Sequence, residues 1–387
     1  MPYKDILLET LKIESEQAFV TQTVSTPGKL YIAGEYAILE PGQAAILVAL
    51  DAYLSCTVSL SSNHLSGTLQ STTIQNEPFN YTRSTHSQPG LMPATMWPKR
   101  WAYVLSAIET VERLLVELNR PLQNYHIQYE TDLEAENGHK YGLGSSGAVT
   151  VSTIRALLCF YGYSVHPLII YKLAAIASLK VSTKGSFGDL AASAYGGWIY
   201  YQSPDRRWLA EQIAATPSLI QLLAKDWPQL AIRHLTVPHS VDLVIGWTDA
   251  PASTDELVHR YQQHRDTESD IYQQFLANSQ STVQQLAQDL EKGDVVLIQK
   301  GIAKARQLLR KMTQHWQLPL ETHHLTRLIE IAQSHQYEAK SSGAGGGDCG
   351  IAIGSSHLNR QELLNSWKVA HIIPLPYQVT QPFQESE

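Results

Sequence analysis

Cysteine is scarce in this chain. Only Cys56, Cys159 and Cys349 occur among 387 residues, and they lie far apart with no Cys-x-x-Cys spacing. This pattern favours neither a disulfide framework nor a structural zinc site. The chain also lacks any apolar run of about 18 residues or more, so no transmembrane helix is predicted. We therefore expect a protein of a reducing compartment, the cytoplasm, without attachment to a membrane.

Positive charge is also in short supply. The 29 Lys and Arg residues are outnumbered by 36 Asp and Glu residues, which gives a net charge of −7. No electrostatic footprint for nucleic acid is present, although a local basic pocket for phosphate groups is compatible with this balance. The residues before Thr21 mix charged and apolar side chains, so they do not resemble a signal peptide.

The length and the order of the predicted elements indicate two domains of α+β type. A chain of 387 residues exceeds one ordinary compact core, and we place the boundary after Pro228, giving domains 1–228 and 229–387. Short runs typical of β-structure predict strands at Phe19–Val24, Lys29–Ala33, Ala44–Leu50, Tyr53–Leu60, Tyr125–Tyr129, Val237–Trp247, Cys349–Ile353 and His371–Leu375, and the run Tyr125–Tyr129 alternates. Helical spacing predicts helices at Arg100–Leu118, Ser145–Tyr161, Pro167–Leu179, Asp255–Trp316 with an interruption at Gly293, Leu325–Gln333 and Gln361–Trp367.

One glycine-rich segment has the chemistry of an anion site. It reads KYGLGSSGAV from Lys140 to Val149 and runs directly into an apolar helix. Glycines let the backbone approach a ligand closely, and the unpaired amides at a helix N-terminus attract negative charge. Neither a Walker A loop nor a credible Rossmann fingerprint is present. The plain alternative is a glycine-rich turn that Ser146 caps.

Two further glycine-rich segments flank it in the sequence. One reads PGKLYIAGEY from Pro27 to Tyr36 and places Lys29 at the start of a strand, and its plain alternative is a Pro-Gly turn with an exposed lysine. The other reads KSSGAGGGDCG from Lys340 to Gly350. Ordering so many glycines costs conformational entropy, which favours a binding role over a flexible loop. We call these stretches, in chain order, the first, second and third glycine segments.

In this order and at these separations, the three glycine segments resemble the three motifs of the GHMP kinase superfamily. The resemblance extends from about Ser25 to Ile353, and three independent loops would rarely fall into this arrangement. Two more stretches, KGSFGDLAA from Lys184 and GWTDAPAST from Gly246, are similar to the branch that phosphorylates phosphomevalonate. The resemblance implies an α+β fold with an N-terminal nucleotide-binding domain, a C-terminal ferredoxin-like domain and an active site in the cleft between them.

The resemblance also implies a reaction with its cofactors and partners. The expected cofactors are ATP and Mg²⁺. The expected reaction is the ATP-dependent phosphorylation of 5-phosphomevalonate to 5-diphosphomevalonate, a step of the mevalonate route to isoprenoids. No nucleic acid or membrane is expected as a partner, and the protein is expected to be a monomer or a homodimer.

The resemblance assigns site residues position by position. Lys29 and Asp189 match the catalytic residues of the family. Its ATP-binding residues match Lys140, Gly142, Leu143, Gly144, Ser145, Ser146 and Gly147, and Ser146 is also a candidate ligand of Mg²⁺. Its substrate-binding residues match Lys29, Ser186, Asp189, Ser253, Ser342, Gly343 and Ala344, although Ser253 has the plain alternative of capping the helix near Asp255.

Asp189 has two possible roles in such a reaction. A carboxylate in the small apolar run Gly-Asp-Leu-Ala-Ala costs free energy unless it is paired, which favours a functional role. Relatives that phosphorylate an alcohol use this aspartate as the proposed general base. A phosphate monoester has a second pKa of about 6, so its acceptor oxygen is already largely anionic at neutral pH. We therefore expect cations to dominate catalysis and Asp189 to orient Lys29 or a metal-bound water.

Other functions stay open at this level. Mevalonate kinase and homoserine kinase act on a hydroxyl group, diphosphomevalonate decarboxylase is a lyase on a related scaffold, and a ligand-binding regulator would have lost catalysis. Mevalonate kinase has a Mg²⁺-binding glutamate between its second motif and the aspartate, whereas this chain has no glutamate between Glu136 and Glu211. The presence of Lys29, Ser146 and Asp189 together argues against a regulator.

Overall fold

The chain folds into two β-sheets, each packed against helices. The structure, a computed structural model, describes residues 19–72, 75–83, 85–93, 96–135, 138–164, 166–249, 254–265 and 269–383. In those residues no helix combines the length and the apolar character needed to cross a bilayer. The mixture of sheets and helices confirms the α+β fold class expected from the order of the predicted elements.

The first sheet has eight strands. Their order is β5-β4-β3-β6-β2-β7-β8, with β1 paired to β2 outside this path. All pairs are antiparallel except β3 with β6. The strands are β1 (Gln22–Ala33), β2 (Ala44–Leu60), β3 (Ser66–Ser71), β4 (Gln75–Thr82), β5 (Met92–Pro93), β6 (Tyr125–Thr131), β7 (Trp198–Gln202) and β8 (Ala231–His234).

Strand β2 is the centre of this sheet. Its first seven residues, Ala44–Leu50, are all buried, while the second half alternates between buried and partly exposed residues. The alternation means that one face of the second half is covered by the core and the other face is not. We predicted two strands here, but the structure has one strand of 17 residues that pairs with β7 in its first half and β6 in its second.

Four helices build the layer against the first sheet. They are α1 (Ala102–Glu117), α2 (Ser145–Phe160), α3 (Pro167–Val181) and α4 (Gly188–Tyr195). Helix α3 is apolar on every side, which is typical of a helix surrounded by protein, and residues 167–179 are all buried. The His166 ring accepts a hydrogen bond from Leu168 N at its start, and Pro167 fits the first helical position. Two short helices, α5 (Arg206–Ala215) and α6 (Leu219–Ala224), were not predicted.

The second sheet has the strand order β10-β11-β9-β12 and is antiparallel throughout. Its strands are β9 (Val241–Trp247), β10 (Glu338–Ser341), β11 (Cys349–Ser355) and β12 (Ile373–Leu375), and the helices that follow β8 are α7 (Thr254–Arg265), α8 (Ser269–Lys292), α9 (Val295–His315), α10 (His323–Ser334) and α11 (Arg360–Val369). Numbered within this unit, the strand order is 4-1-3-2 with helices between the first and second strands and between the third and fourth. This topology confirms the ferredoxin-like arrangement.

Both faces of the second sheet are covered. Neighbouring residues of a strand point to opposite faces, and Val244 joins the core formed with α10 and α11 while Ile245 joins the core shared with α8 and α9. The long helical region predicted from Asp255 to Trp316 is thus three helices. The predicted interruption at Gly293 is confirmed, because this residue has a φ of +70° between α8 and α9.

The chain passes between the two sheets more than once. Strand β8 pairs with β7, so the first sheet includes residues that lie beyond the predicted boundary after Pro228. After β12 the chain returns to the first sheet, where Val379 forms a bridge with Leu50 and Phe383 N donates to the Tyr195 carbonyl. The division into domains 1–228 and 229–387 stays a prediction.

Candidate active site

The second glycine segment forms a turn that leads into helix α2. Gly142 and Gly144 each have a φ of +81°, in the left-handed region that glycine adopts without strain. Gly144 stands at the N-cap and offers no side chain to cap the helix, while its carbonyl accepts from Ala148 N at 3.0 Å. The amide groups of the first turn are therefore suited to an anion. Ser146 is exposed there and Ser145 is partly buried.

Lys29 lies across this turn from strand β1. Its backbone N–H donates to the Leu143 carbonyl at 2.8 Å, and Nζ donates to the Gly142 carbonyl at 3.1 Å. A Cβ on Gly144 would lie 2.8 Å from Lys29 Cε, so only glycine leaves room for this side chain. Burial lowers the pKa of Lys29, and the negative charges of Asp189 and Asp348 oppose that shift.

Asp189 reaches the same turn from the start of helix α4. A Cβ on Gly147 would lie 2.5 Å from its Oδ2 atom, so the carboxylate rests against the first turn of α2. Burial raises the pKa of Asp189, while Lys29 and the backbone N–H groups of Leu190 and Asp189 act in the opposite direction. The structure thus brings Lys29 and Asp189 together at one helix N-terminus.

Asp348 places a second carboxylate at the turn, and the sequence analysis did not identify it as a site residue. A Cβ on Gly142 would lie 2.7 Å from Asp348 Oδ2, and Asp348 has a φ of +52°. Its carbonyl accepts from both the N–H and the hydroxyl of Thr248 at 3.0 Å. The signal was available, because a carboxylate within a glycine run raises the same question as Asp189.

The first and third glycine segments are joined by side chains. Lys340 and Glu35 form an ion pair that is almost completely buried, and Lys340 Nζ also donates to the Ser341 carbonyl at 2.6 Å. The Tyr36 hydroxyl donates to the Ala344 carbonyl at 2.6 Å. These residues lie about 300 positions apart in sequence, so their contacts fix the third segment beside strand β1.

The serines assigned to the substrate side differ in their surroundings. Ser342 is buried, and its Oγ accepts from Tyr31 N at 3.0 Å and donates to the Tyr31 carbonyl at 2.9 Å. Ser186 Oγ lies 2.8 Å from the Tyr31 hydroxyl. Gly343 has open space where a side chain would be. Ser253 lies outside the described residues.

Lys140, which we assigned to ATP, is exposed and forms a bridge with Glu134 before the turn. No hydrogen bond in the described residues ties its side chain to Gly142–Gly147. Within the described part of the chain, no three His, Cys, Asp or Glu side chains converge to hold a metal ion. The turn therefore presents backbone amides and the partly buried Lys29, which suit a phosphate, beside two carboxylates, which suit a cation.

Comparison with known proteins shows the family of this chain. Residues 102–197 match the model of the GHMP kinases N terminal domain, and residues 286–371 match that of the GHMP kinases C terminal domain. A phosphomevalonate kinase of Streptomyces sp. is 36% identical over 376 residues, which is 90% of this chain and 95% of the relative.

Solved structures extend the likeness to the whole architecture. Streptococcus pneumoniae phosphomevalonate kinase in complex with phosphomevalonate and AMPPNP superposes with a TM-score of 0.79 at 32% identity, covering 92% of this chain and 99% of that one. A crystal structure of a Listeria innocua protein gives a TM-score of 0.86 at 32% identity, over 94% and 99% of the two chains. The sequence of this protein, its two-sheet fold and its glycine-lined turn agree, and the chain belongs to the GHMP kinase family.

Proposed function

We propose that this protein is a phosphomevalonate kinase. It would transfer the γ-phosphoryl group of ATP to the phosphate of 5-phosphomevalonate and release ADP and 5-diphosphomevalonate. The observation that carries the proposal is the likeness, over nearly the whole chain, to proteins that bear this name. One of them holds phosphomevalonate and an ATP analogue together.

The second glycine segment would hold the phosphates of ATP. The backbone amides of Ser145, Ser146 and Gly147 start helix α2, where the helix dipole favours negative charge. Gly142, Leu143 and Gly144 would form the wall of this cradle, and exposed Lys140 would add charge at its entrance. The close approach of Lys29 to Gly144 supports this arrangement, because it places a cation beside the phosphates.

Lys29 would stabilise the charge of the transferred phosphoryl group. The bond from the γ-phosphorus to an oxygen of the acceptor phosphate forms as the bond to the ADP oxygen breaks, so negative charge concentrates near one point. A fixed cation in a partly buried site stabilises such charge more than water does. The acceptor oxygen is already anionic near neutral pH, and Asp189 would therefore orient Lys29 rather than remove a proton.

The residues present fit a magnesium ion that arrives with the nucleotide. Mg²⁺ usually keeps several waters and takes only one or two carboxylates besides the phosphate oxygens. Asp189 and Asp348 both lie against the turn, and the exposed hydroxyl of Ser146 is a further donor. When bound, the ion would neutralise charge on the phosphates.

The phospho-acceptor would occupy the side of the turn that faces the third glycine segment. Ser186, Gly343 and the Ala344 backbone would contact it, with Ser253 as a further contact, while Ser342 would act mainly by holding the loop against Tyr31. The domains would divide near residue 228 with the cleft between them. We further propose a cytoplasmic protein that is a monomer or a homodimer.

A coupled assay of ADP release with Mg-ATP tests the proposal. The acceptors to compare are 5-phosphomevalonate, mevalonate and homoserine, with release of carbon dioxide from 5-diphosphomevalonate measured in parallel. We expect turnover with 5-phosphomevalonate alone. Turnover with either alcohol would reject the phosphate acceptor and return Asp189 to the role of general base, and release of carbon dioxide would identify a decarboxylase.

A further inference from the structure

A groove lined by basic side chains lies beside the second sheet, outside the three glycine segments. It has a volume of about 380 Å³ and runs between helix α9 on one side and the end of α10 with the start of β10 on the other. Arg306, Arg310 and Lys311 line it from α9. Arg306 and Arg310 are four positions apart and share one helix face, and Lys311 lines the same groove from the adjoining face.

The groove has the size and the donors for a small ligand. Ligand sites commonly have volumes of about 300–1,000 Å³. Gln307 and Gln314 add amide groups from α9, whereas the single carboxylate of the lining, Glu338, already accepts from Gln333 at 2.9 Å. Among the lining residues three cations therefore face one carboxylate, and the nearby carboxylates of Glu321 and Glu330 also act on Arg306.

Two arginines of the groove share a single carboxylate. Arg306 binds Glu321 through Nε at 2.7 Å and Nη2 at 2.9 Å, and Arg310 Nε lies 3.8 Å from Glu321 Oε2. A guanidinium group has five N–H donors. One carboxylate cannot use the donors of both arginines, and about half of the Arg310 side chain is exposed.

We propose that this groove binds a small phosphorylated anion, with Arg306, Arg310 and Lys311 as its ligands. Arginine pairs with phosphate oxygens through two parallel hydrogen bonds, and lysine adds a point charge. The amides of Gln307 and Gln314 would bind further oxygens. No residue of the lining belongs to the glycine segments, so this site is separate from the one proposed for ATP.

The site is linked to the third glycine segment through Glu321. The neighbouring Leu320 carbonyl accepts from Gly346 N at 2.8 Å, and a Cβ on Gly345 would lie 2.5 Å from the same oxygen. An anion in the groove would compete with Glu321 for its two arginines. Occupancy would therefore loosen the segment on which Gly345 and Gly346 rest, which makes the groove a regulatory site for the loop.

Titration calorimetry of the full chain with inorganic pyrophosphate tests the binding site without assuming any reaction. The variant Arg310→Gln with Lys311→Gln should weaken the groove component at least about tenfold, since each bond to a charged group contributes substantially. The matched control is Lys300→Gln with Lys304→Gln, which removes the same charge from α9 at two exposed positions outside the groove. Equal weakening in both double variants would overturn the proposal.

Two further measurements distinguish binding in the groove from binding at the turn Gly142–Gly147, and they test the link between the groove and the third glycine segment. Lys29→Met should leave the groove component intact, and its loss in that variant would assign the binding to the turn instead. Pyrophosphate should speed hydrogen exchange of the Gly346 amide in the wild-type chain and not in the Arg310→Gln, Lys311→Gln variant. Identical exchange in the two proteins would reject the regulatory link.

Discussion

Gly343 of the third glycine segment differs in its surroundings from the glycines of the second segment. In the second, the absence of side chains on Gly142, Gly144 and Gly147 makes room for Asp348, Lys29 and Asp189. In the third, Gly343 borders open space, and the loop is held by Lys340, Ser342 and the Ala344 carbonyl. The second segment is thus shaped by close approach, whereas the third combines the close approach of Gly345 to the Leu320 carbonyl with a glycine, Gly343, that has no such neighbour among the described residues. Changes at Gly147 and at Gly343 should therefore have different consequences.

Breaking the buried Lys340–Glu35 ion pair, which holds the third segment, should lower the free energy of unfolding more than a change at Lys29, Gly147 or Gly343. Lys340→Met leaves the Glu35 carboxylate buried without its cation, which costs about 3–5 kcal/mol. Urea unfolding measures the loss. The double variant Glu35→Met with Lys340→Met removes both charges and should recover most of the stability. A single-variant loss below about 1 kcal/mol, as for exposed pairs, would show that this pair does not hold the segment.

Removing the cation that the second segment accommodates should act on rate rather than on folding. Lys29→Met should lower kcat about 10²–10³-fold, the range found when one electrostatic stabiliser is removed. The ADP-release assay measures it. The melting temperature should fall less than in Lys340→Met, because Lys29 is only partly buried and Asp189 keeps its backbone N–H partners. Lys140→Met is the matched control because this lysine is exposed. Equal losses of kcat in both variants would show that Lys29 only attracts phosphate by its charge, as an exposed lysine does.

Adding one methyl group to each segment compares them directly. Gly147 lies inside helix α2, so Gly147→Ala suits the backbone, but its Cβ must displace the Asp189 carboxylate. Because misplacement of a catalytic group by about 1 Å can cost 10²-fold, we expect kcat to fall about 10–100-fold.

Gly343→Ala should behave in the reverse way. The φ of +79° disfavours alanine, and nothing lies within 4 Å of the added group. Stability should fall by about 1–2 kcal/mol. Because Gly343 would contact the phospho-acceptor, KM for that substrate should rise, while kcat should fall less than in Gly147→Ala. A fall in kcat as large as that of Gly147→Ala would show that Gly343 positions the reacting groups as strictly as Gly147 does.

The smallest expected effect is the pH dependence of kcat and of the free energy of unfolding. Burial lowers the pKa of Lys29 below its ordinary 10.5, so kcat should decline with rising pH before that value as Lys29 loses its proton. Lys29→Arg, which stays charged, should move this decline to higher pH. Between the lowered pKa of Lys29 in the folded protein and its ordinary pKa in the unfolded chain, the unfolded chain binds more protons than the folded protein. The free energy of unfolding should therefore rise with pH in this range, and this rise should be absent in Lys29→Met. A decline unchanged in Lys29→Arg would assign it to another group.

Much of the fold and of the candidate site could be predicted from local sequence patterns and motifs. The glycines and serines before an apolar helix predicted the anion site at α2, and the resemblance to the family predicted that Lys29 and Asp189 would meet there. Periodicity also located most helices and the break at Gly293. These features depend on neighbouring residues or on motifs, which a single sequence contains in full.

The remaining features depend on contacts between distant parts of the chain. The Glu35–Lys340 pair, the place of Asp348 beside Gly142 and the pairing of β8 with β7 join residues whose proximity no local pattern encodes. Strand β7 was not predicted, and its place in the sheet comes from pairing with the distant strand β2. The groove beside Arg310 arises only when α9 packs near α10.

In the part of the chain that the structure describes, the backbone connects the two sheets at two places. One connection follows β8, and the other follows β12 before the chain returns to Leu50 and Gly196 through Val379 and Pro382. A single linker would allow one body to swing and twist in any direction relative to the other. Two attachments restrict rigid-body movement to rotation about an axis that passes near both. A cut after Leu375 should therefore add new directions of movement without removing a residue of the turn Gly142–Gly147.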